Sequence, residues 1–594
     1  MSGPDSPTEY RAVRRRWEQA LAASGPGRAA ARDDAAAAVL AYLEREPAEP
    51  LLLNVLGVLL HEAGRSDLAV PLFGAALELD PALPAAEANL AAARAAGVAP
   101  QDDTLAARVA AVVGRARPAT GLTLSVCLIV RDEEQRLEAC LRGVAPAADE
   151  IVVVDTGSTD RTTDIARRFG ARLLHVPWND SFSEPRNVAL AAARGDWVLF
   201  PDADEHFEPA AAPALRGLLG RTWRAGFLFP MTSRTGDGST ATVHPALRLW
   251  RNRPDVRYAG RVHESVLGSL PVDLPERFEL VDVPIVHHGY VERTIAEKDK
   301  ARRNLTLLAL EPPGPETSFN LGSEHLRLGD WERAAEHLDA AWLAICGRPD
   351  WAGAGFGSLL ALRTARARRE LGRLQAARDL LRLALERYPD YTDLVYELAA
   401  CAAAAGERKE AEALLEICLA LGDAPPTYAS TVGAGSHLAE AFLADLRRQA
   451  ARTRDVPPIK SEGGRPITVG DDDARTDGRD MLDGIQPSSG DISTYGAAQR
   501  LQATEKGAVD FRLATVHGVP ASPPPEVLRA LDSAARVDDE LRSRGLRVSF
   551  DAQHDGSVHV GVVDEGGALV GAAASPSHAL DVFSGEVPLA DLFA

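Results

Sequence analysis

The reading of the chain turns on residues 124–160, LSVCLIVRDEEQRLEACLRGVAPAADEIVVVDTGSTD. Leu124–Val130 and Glu150–Asp155 are short apolar runs rich in β-branched residues, and each is closed by a polar turn. Runs of this kind predict strands buried on both faces, as in a parallel sheet. A helical stretch from Glu133 to Gly143 separates them. Outward from this unit the alternation continues. Ala171–Val176 reads as a third strand, Glu184–Arg194 as a helix and Trp197–Phe200 as a fourth strand. Strands alternating with helices predict a doubly wound, mostly parallel α/β sheet. In such sheets ligands sit beyond the carboxyl ends of the strands.

Polar residues gather where those ends fall. The first strand delivers Arg131-Asp132-Glu133-Glu134, and the second delivers Asp155 through Asp160. A helix start gives Arg186-Asn187, and the fourth strand ends in Asp202-Ala203-Asp204-Glu205. Residues i and i+2 of an extended chain face the same way, so Asp202 and Asp204 are expected to meet one divalent cation. Such a cation bridges phosphate oxygens and stabilises a diphosphate as it leaves. Asp471 and Asp473 have the same spacing without the preceding strand and read as solvated. Asp155 closes a buried strand, Gly157 permits the tight turn after it, and Ser158 or Thr159 can cap the next helix. A carboxylate in that place can accept hydrogen bonds from a pyrimidine N–H or a ribose hydroxyl.

Helix-rich regions flank this sheet. Leu53, Leu56, Gly57, Leu60, Ala69, Phe73, Ala76 and Pro81 fall where a 34-residue tetratricopeptide repeat (TPR) wants large, small and helix-ending residues. The pattern returns at Leu321, Gly322, Ala334, Leu338 and Ala341, then at Ala377, Leu381, Ala384 and Pro389, then at Leu398, Ala399, Ala411, Leu415 and Cys418. These stretches resemble TPR units; an ordinary α-helical bundle with alanine at its contacts is the alternative. Either way stacked hairpins make a continuous core and a concave face.

Composition bounds the function. At 594 residues and 46% hydrophobic the chain exceeds one core, and 65 basic against 85 acidic residues leave a net charge of −20. That balance argues against a nucleic-acid partner. Five scattered cysteines without a Cys-x-x-Cys pair suit buried thiols in a reducing compartment. With no apolar stretch of signal-peptide or membrane-span length in view, a soluble cytoplasmic protein is expected.

Ser125–Glu134, Glu150–Asp160, Trp178–Asn187 and Asp196–Glu205 resemble family 2 glycosyltransferases of the GT-A fold, in the bacterial branch joined to TPR units. The resemblance implies an enzyme with Asp155 at the nucleotide base, Asp202 at the ribose and Asp204 on a divalent cation, Mn2+ or Mg2+. Arg131, Glu133 and Arg186 join Asp155 and Asp202 as candidate donor-binding residues. Gly260-Arg261-Val262-His263-Glu264 resembles the family segment ending in Val-His-Glu, and His287-His288-Gly289-Tyr290 its His-x-Gly-Tyr. Glu264 is the candidate base; its alternative is a carboxylate paired with Arg261 or Arg248. His287 is a candidate metal ligand or diphosphate contact, or a structural histidine. His288 reads as a support behind the site and Asn187 as a brace for its helix start. Lys298, Arg302 and Arg303 read as diphosphate contacts or, preferably, as solvated. The donor is a nucleotide sugar, UDP favoured by family habit. The absence of a Gln-x-x-Arg-Trp segment speaks against processive synthesis across a membrane.

The tail carries a second resemblance. Leu541-Arg542-Ser543, Leu546–Asp551 and Val558–Asp564 look like the flagellar protein FlaG family, although Ala573-Ala574-Ser575-Pro576 departs from its last element. A generic helix–hairpin module is the alternative. The organisation expected is therefore a TPR-like region over 1–118, a GT-A domain over 119–304, a second TPR-like array over 305–450, a disordered linker over 451–525 and a small α+β FlaG-like module over 526–594. The function expected is inverting, metal-dependent transfer of a sugar from a nucleotide-sugar donor to a protein hydroxyl, with flagellin or another flagellar protein as acceptor. The alternatives are a cell-surface glycan, lipid-linked or small-peptide acceptor, and an inactive TPR scaffold.

Overall fold

The computed structural model describes residues 7–97, 103–234, 241–287, 293–346, 356–454, 546–552, 558–564 and 569–572. The linker and the helix expected after Pro525 lie outside these residues, as do His288 and its two followers. The chain divides into two compact units, Met1–Asp510 and Phe511–Ala594.

The first unit is built on a ten-stranded sheet. Four parallel strands begin it: β1 (Leu124–Val130), β2 (Glu150–Asp155), β3 (Arg172–His175) and β4 (Trp197–Leu199), lying side by side in the order β3-β2-β1-β4. The intervening helices are Leu137–Val144, Thr162–Arg168 and Ser183–Ala192. The first of these begins four residues later than its sequence suggests, because Asp132–Glu134 turn back onto the loop after β2. Asp132 Oδ1 accepts from Thr159 N at 2.7 Å, and Glu134 N donates to Asp160 Oδ2 at 3.1 Å.

Beyond β4 the sheet becomes mixed. The further strands are β5 (Glu205–Phe207), β6 (Gly226–Arg234), β7 (Ala241–Arg251), β8 (Phe278–Leu280), β9 (Ile285–His287) and β10 (Ser430–Thr431). β7 pairs antiparallel with both β4 and β6, and β6 runs parallel to β8 and β9. β5 closes the far edge against β9, with Glu205 opposite His287. Fully buried Trp197, Phe227 and Phe229 lie on one side of the sheet and Phe200 and Trp250 on the other. Each such side chain contributes about 1.5–3 kcal/mol by leaving water. Gly143 lets its helix lie directly on β5, since a Cβ there would stand 2.1 Å from Phe207 O. That contact anchors the strand on which the acidic cluster is mounted.

Helical hairpins flank the sheet. Pro50–Glu62 and Ser66–Leu79 pair before it; Pro315–Leu328, Trp331–Cys346, Gly357–Glu370, Leu374–Arg387, Thr392–Ala404 and Arg408–Leu421 follow it. A Cβ on Gly57 would meet Phe73 at 2.5 Å, and one on Gly322 would meet Leu338 at 2.6 Å. Both contacts span sixteen residues, so the same position of the repeat closes a hairpin in each array. The later array does not stand apart from the sheet. Its Ser430 and Thr431 pair with Val243 and Thr242 as β10.

Four of the five cysteines are buried and all are free thiols. Among the described residues no helix is long and apolar enough to cross a membrane. In the second unit β11 (Leu546–Ala552) and β12 (Val558–Asp564) form the expected antiparallel pair, joined by β13 (Leu569–Ala572), which the sequence did not announce.

Candidate active site

Arg186, in the first turn of the helix Ser183–Ala192, stands at the centre. Its Nε donates to Glu264 Oε1 at 2.5 Å and its Nη2 to Asp202 Oδ1 at 2.6 Å. The guanidinium carbon lies 5.0 Å from the ring centroid of Phe200 and 5.2 Å from that of Tyr258, so aromatic contacts help fix its plane. Nη1 is buried without a hydrogen-bond partner. Asn187 braces the aromatic wall: its amide donates to Tyr258 O at 2.9 Å and accepts from Tyr258 N at 2.8 Å.

A second arginine enters from β7. Arg248 Nε donates to Glu205 Oε2 at 2.9 Å, and its Nη2 reaches Asp202 Oδ2 at 3.2 Å. Burial opposes ionisation of Asp202, yet Arg186 and Arg248 hold its carboxyl well below the usual range. Glu205 is 1% exposed, and there burial outweighs Arg248 and pushes the carboxyl up.

The expectation that Asp202 and Asp204 face the same way is corrected. The chain is not extended between them; it turns, with Glu205 N donating to Asp202 O at 3.0 Å. Asp202 therefore addresses the two arginines, while Asp204 Oδ2 lies 3.0 Å from His287 Nε2. The β5–β9 register places His287 opposite Glu205 and so beside Asp204. Ser233 Oγ, 3.2 Å from His287 Nδ1, steadies the other side of the ring. Burial alone would lower the imidazole's pKa, but Asp204 raises it, and the same contact holds Asp204 below its ordinary value.

The remaining candidates fall into place unevenly. Glu133 is half-buried, and burial followed by the field of Asp204 pushes its carboxyl up to about 7. Asp155, 4% exposed at the end of β2, accepts from Ser158 N at 3.1 Å and from His175 Nδ1 at 3.2 Å. These bonds outweigh burial and keep it ionised, while the carboxylate retains acceptor capacity. Arg131 is exposed at the end of β1 and takes no part in the Arg186 contacts. Arg302 and Arg303 are exposed, the latter with its guanidinium 5.3 Å from the Phe182 ring centroid; the side chain of Lys298 lies outside the described residues.

Glu264 is 8% exposed and its ionic partner is Arg186, not Arg261 or Arg248. Arg261 instead reaches Asp180 O at 3.2 Å. The sequence reading missed the service of Arg248, Tyr258 and Ser233. An arginine in the apolar run Ala246-Leu247-Arg248-Leu249-Trp250 was the available signal, since a charge inside a buried strand demands a buried partner.

The metal candidates are a carboxylate oxygen and an imidazole nitrogen, a donor pair suited to a manganese-type ion. Among the described residues no group of three or more His, Cys, Asp or Glu could hold a metal. A cation at Asp204 and His287 would therefore complete its shell from water and ligand oxygens. Away from this cluster, a hollow of about 90 Å³ opens between β7 and the later helical array, lined in part by Arg327, Arg363, Arg366, Arg369 and Asp393.

Residues 125–265 match the glycosyl transferase family 2 model, and residues 368–430 match a tetratricopeptide repeat model. The chain is 35% identical over 286 residues to the TPR repeat-containing protein Synpcc7942_0270 of Synechococcus elongatus, covering 47% of this chain and 68% of that protein. It is 29% identical over 229 residues to the SPbeta prophage-derived glycosyltransferase SunS of Bacillus subtilis, covering 36% of this chain and about half, 52%, of that one. Among solved structures, glucosyl-3-phosphoglycerate synthase from Mycobacterium tuberculosis, in complex with Mn2+, UDP and glucosyl-3-phosphoglycerate, is 22% identical; the match covers 32% of this chain and 79% of that one. Its TM-score of 0.25 is too low for that protein's ligands to bear on this one. The fold, the family 2 match over the strand ends and the relative covered for two thirds of its length converge: the chain belongs to the TPR-containing proteins that carry a family 2 glycosyltransferase domain.

Proposed function

We propose that this enzyme transfers a sugar from a nucleotide-sugar donor, UDP-linked by preference, to a hydroxyl of a protein, with a divalent cation and with inversion at the sugar. The observation that carries the reading is the Arg186 bridge between Glu264 and Asp202, with its buried Nη1 lacking a partner. A diphosphate offers that N–H an oxygen. Asp155 would take the base, and Asp202 the ribose, with Glu133 and Arg131 at the mouth of the donor site.

Asp204 and His287 would hold Mn2+ or Mg2+, which when bound supplies positive charge to the leaving diphosphate. Glu264, 2.5 Å from the guanidinium that Arg186 shares between it and Asp202, is a weak base while that pairing holds. As the diphosphate draws on Arg186, the pairing loosens and Glu264 gains basicity. It then takes the acceptor proton as the hydroxyl oxygen bonds to the anomeric carbon. The bond from that carbon to the diphosphate oxygen breaks, and the electron pair leaves with the nucleotide. Attack opposite the leaving group inverts the centre.

A protein acceptor is supported by the helical arrays and by the hollow beside β7. There Arg369 Nη2 and Asp393 Oδ2 are buried without hydrogen-bond partners, a donor and an acceptor for a polypeptide's amides. The FlaG-like tail favours a flagellar protein, flagellin first.

The test is a Mn2+-dependent screen of nucleotide-sugar hydrolysis and transfer, with flagellin mass measured in cells carrying Asp204→Ala. One donor should be turned over by the parent enzyme and at least about 100-fold more slowly by the variant. Flagellin should lose its glycan mass in the variant cells. A parent flagellin that is already unglycosylated overturns the flagellar acceptor. No turnover of any donor by folded protein overturns the catalytic reading and favours a scaffold.

A further inference from the structure

The turn that carries Glu264 is held from outside the sheet. Ala259 and Ser265 close it through two main-chain bonds of 2.9 Å each. Within it three successive side chains take three separate anchors. Val262 packs with Leu307 and Leu308 of the helix Arg293–Leu308, His263 reaches the helix Pro315–Leu328, and Glu264 meets Arg186. His263 has a φ of +53, a left-handed conformation that residues with a Cβ rarely adopt. Such a residue persists only where its surroundings over-determine it.

The determinant is Glu324. This residue of the first helix of the later array is 0% exposed, and its Oε1 accepts from His263 Nε2 at 2.9 Å, Asn304 Nδ2 at 3.0 Å and Arg327 Nη1 at 3.1 Å. Burial opposes its charge, but Arg327, His263 and Asn304 hold its carboxyl down at about 2. Glu311 secures the other end of the turn by accepting from Arg261 N. Two carboxylates that follow the catalytic segment in sequence thus grip the turn on both sides of Val262.

Resting on the proposed transfer reaction, we propose that Glu324 is a positioning residue for it: through His263, it fixes the left-handed step that aims Glu264 at the acceptor hydroxyl. The array then does more than hold an acceptor, because one of its buried charges sets the angle of the base.

The experiment compares the full chain with Glu324→Gln, His263→Asn and the double variant. Asparagine accepts the left-handed conformation but is too short to reach Glu324, so it breaks the contact without altering the array. Hydrogen exchange over residues 259–266 should quicken about tenfold or more in both single variants, as protection there reports local opening. Exchange over Trp331–Cys346 should stay unchanged. With the donor identified by the screen, kcat should fall about 10- to 100-fold with donor KM unchanged, the signature of a misaimed base. Binding of UDP with Mn2+ should stay level, and the double variant should be no worse than the poorer single one. Unchanged exchange at 259–266 in both variants overturns the proposal, and so does an unchanged kcat. A parent enzyme that turns over no donor defeats the transfer reading instead, and the exchange measurement still decides whether Glu324 holds the turn.

Discussion

The two helical arrays grip the catalytic sheet by different means. The earlier one is fastened by a buried cation. Arg277 pairs with Glu49 at 2.6 Å, donates to Tyr42 Oη at 3.1 Å and to Trp223 O at 2.8 Å, and lies 4.1 Å from the ring centroid of Tyr10. Trp223 and Leu274, from the catalytic segment, join the apolar core of that array. The later array is fastened by main chain at β10 and by the carboxylates that end at the turn of Glu264. The first junction holds a module, whereas the second stops one residue short of the candidate base. Charges equally buried can serve stability or alignment, and what lies beyond the partner decides which.

The sharpest break in this comparison is Arg277→Ala. It leaves Glu49 buried without its cation, which should cost about 3–5 kcal/mol in urea unfolding. Binding of UDP with Mn2+ by the folded fraction should not change. Glu324→Gln should show the opposite profile, a slowed reaction with donor binding intact. If Arg277→Ala weakens donor binding, or leaves stability unmoved, the two junctions are not distinct in kind.

A smaller effect is expected where β10 meets the sheet. Thr431 N donates to Asp393 Oδ1 at 2.8 Å, and Thr431→Pro removes that donor from a buried carboxyl. The loss should be about 1–3 kcal/mol. Faster hydrogen exchange confined to residues 241–246 is the accompanying mark; equal exchange there would mean that β7 does not depend on β10.

A pH dependence is expected at the same contact. Burial, aided by Asp423, pushes the Asp393 carboxyl up to about 7, although Thr431 acts against it. A folded pKa above the unfolded value means that the native state binds the proton more tightly. This contribution is fully present below about pH 4 and is lost as pH rises to about 7. The difference in stability between the parent and Asp393→Asn should follow that window. A difference flat from pH 4 to 8 would place the carboxyl at an ordinary pKa.

Much of this architecture was legible because its signals are local. Leu124–Val130 and Glu150–Asp155 declare themselves by unbroken apolar runs, and Gly57 and Gly322 by their place in the repeat. A strand end likewise pointed to Asp202 and Asp204 and a helix start to Arg186, while Glu264 and His287 came from the family resemblance alone. The direction in which each points was not legible, because it depends on partners distant in sequence. Asp202 meets Arg248 only because that residue arrives on β7, and Asp204 finds His287 only through the β5–β9 register. Glu324 reads in sequence as one more helical carboxylate; its burial and its hold on His263 arise only when the array docks. β10, two residues long, lies below any periodicity that a sequence can display.

β10 also bears on the birth of the protein. β7 reaches Arg251, yet the strand segment that covers its Thr242 and Val243 is not made until Thr431. At about 5–20 residues per second, a ribosome leaves that edge uncovered for roughly ten to forty seconds. An open strand edge invites pairing with another chain. The growing polypeptide must therefore pass through an interval in which its catalytic sheet exists without its last strand, and fragments that stop short of residue 431 never leave it.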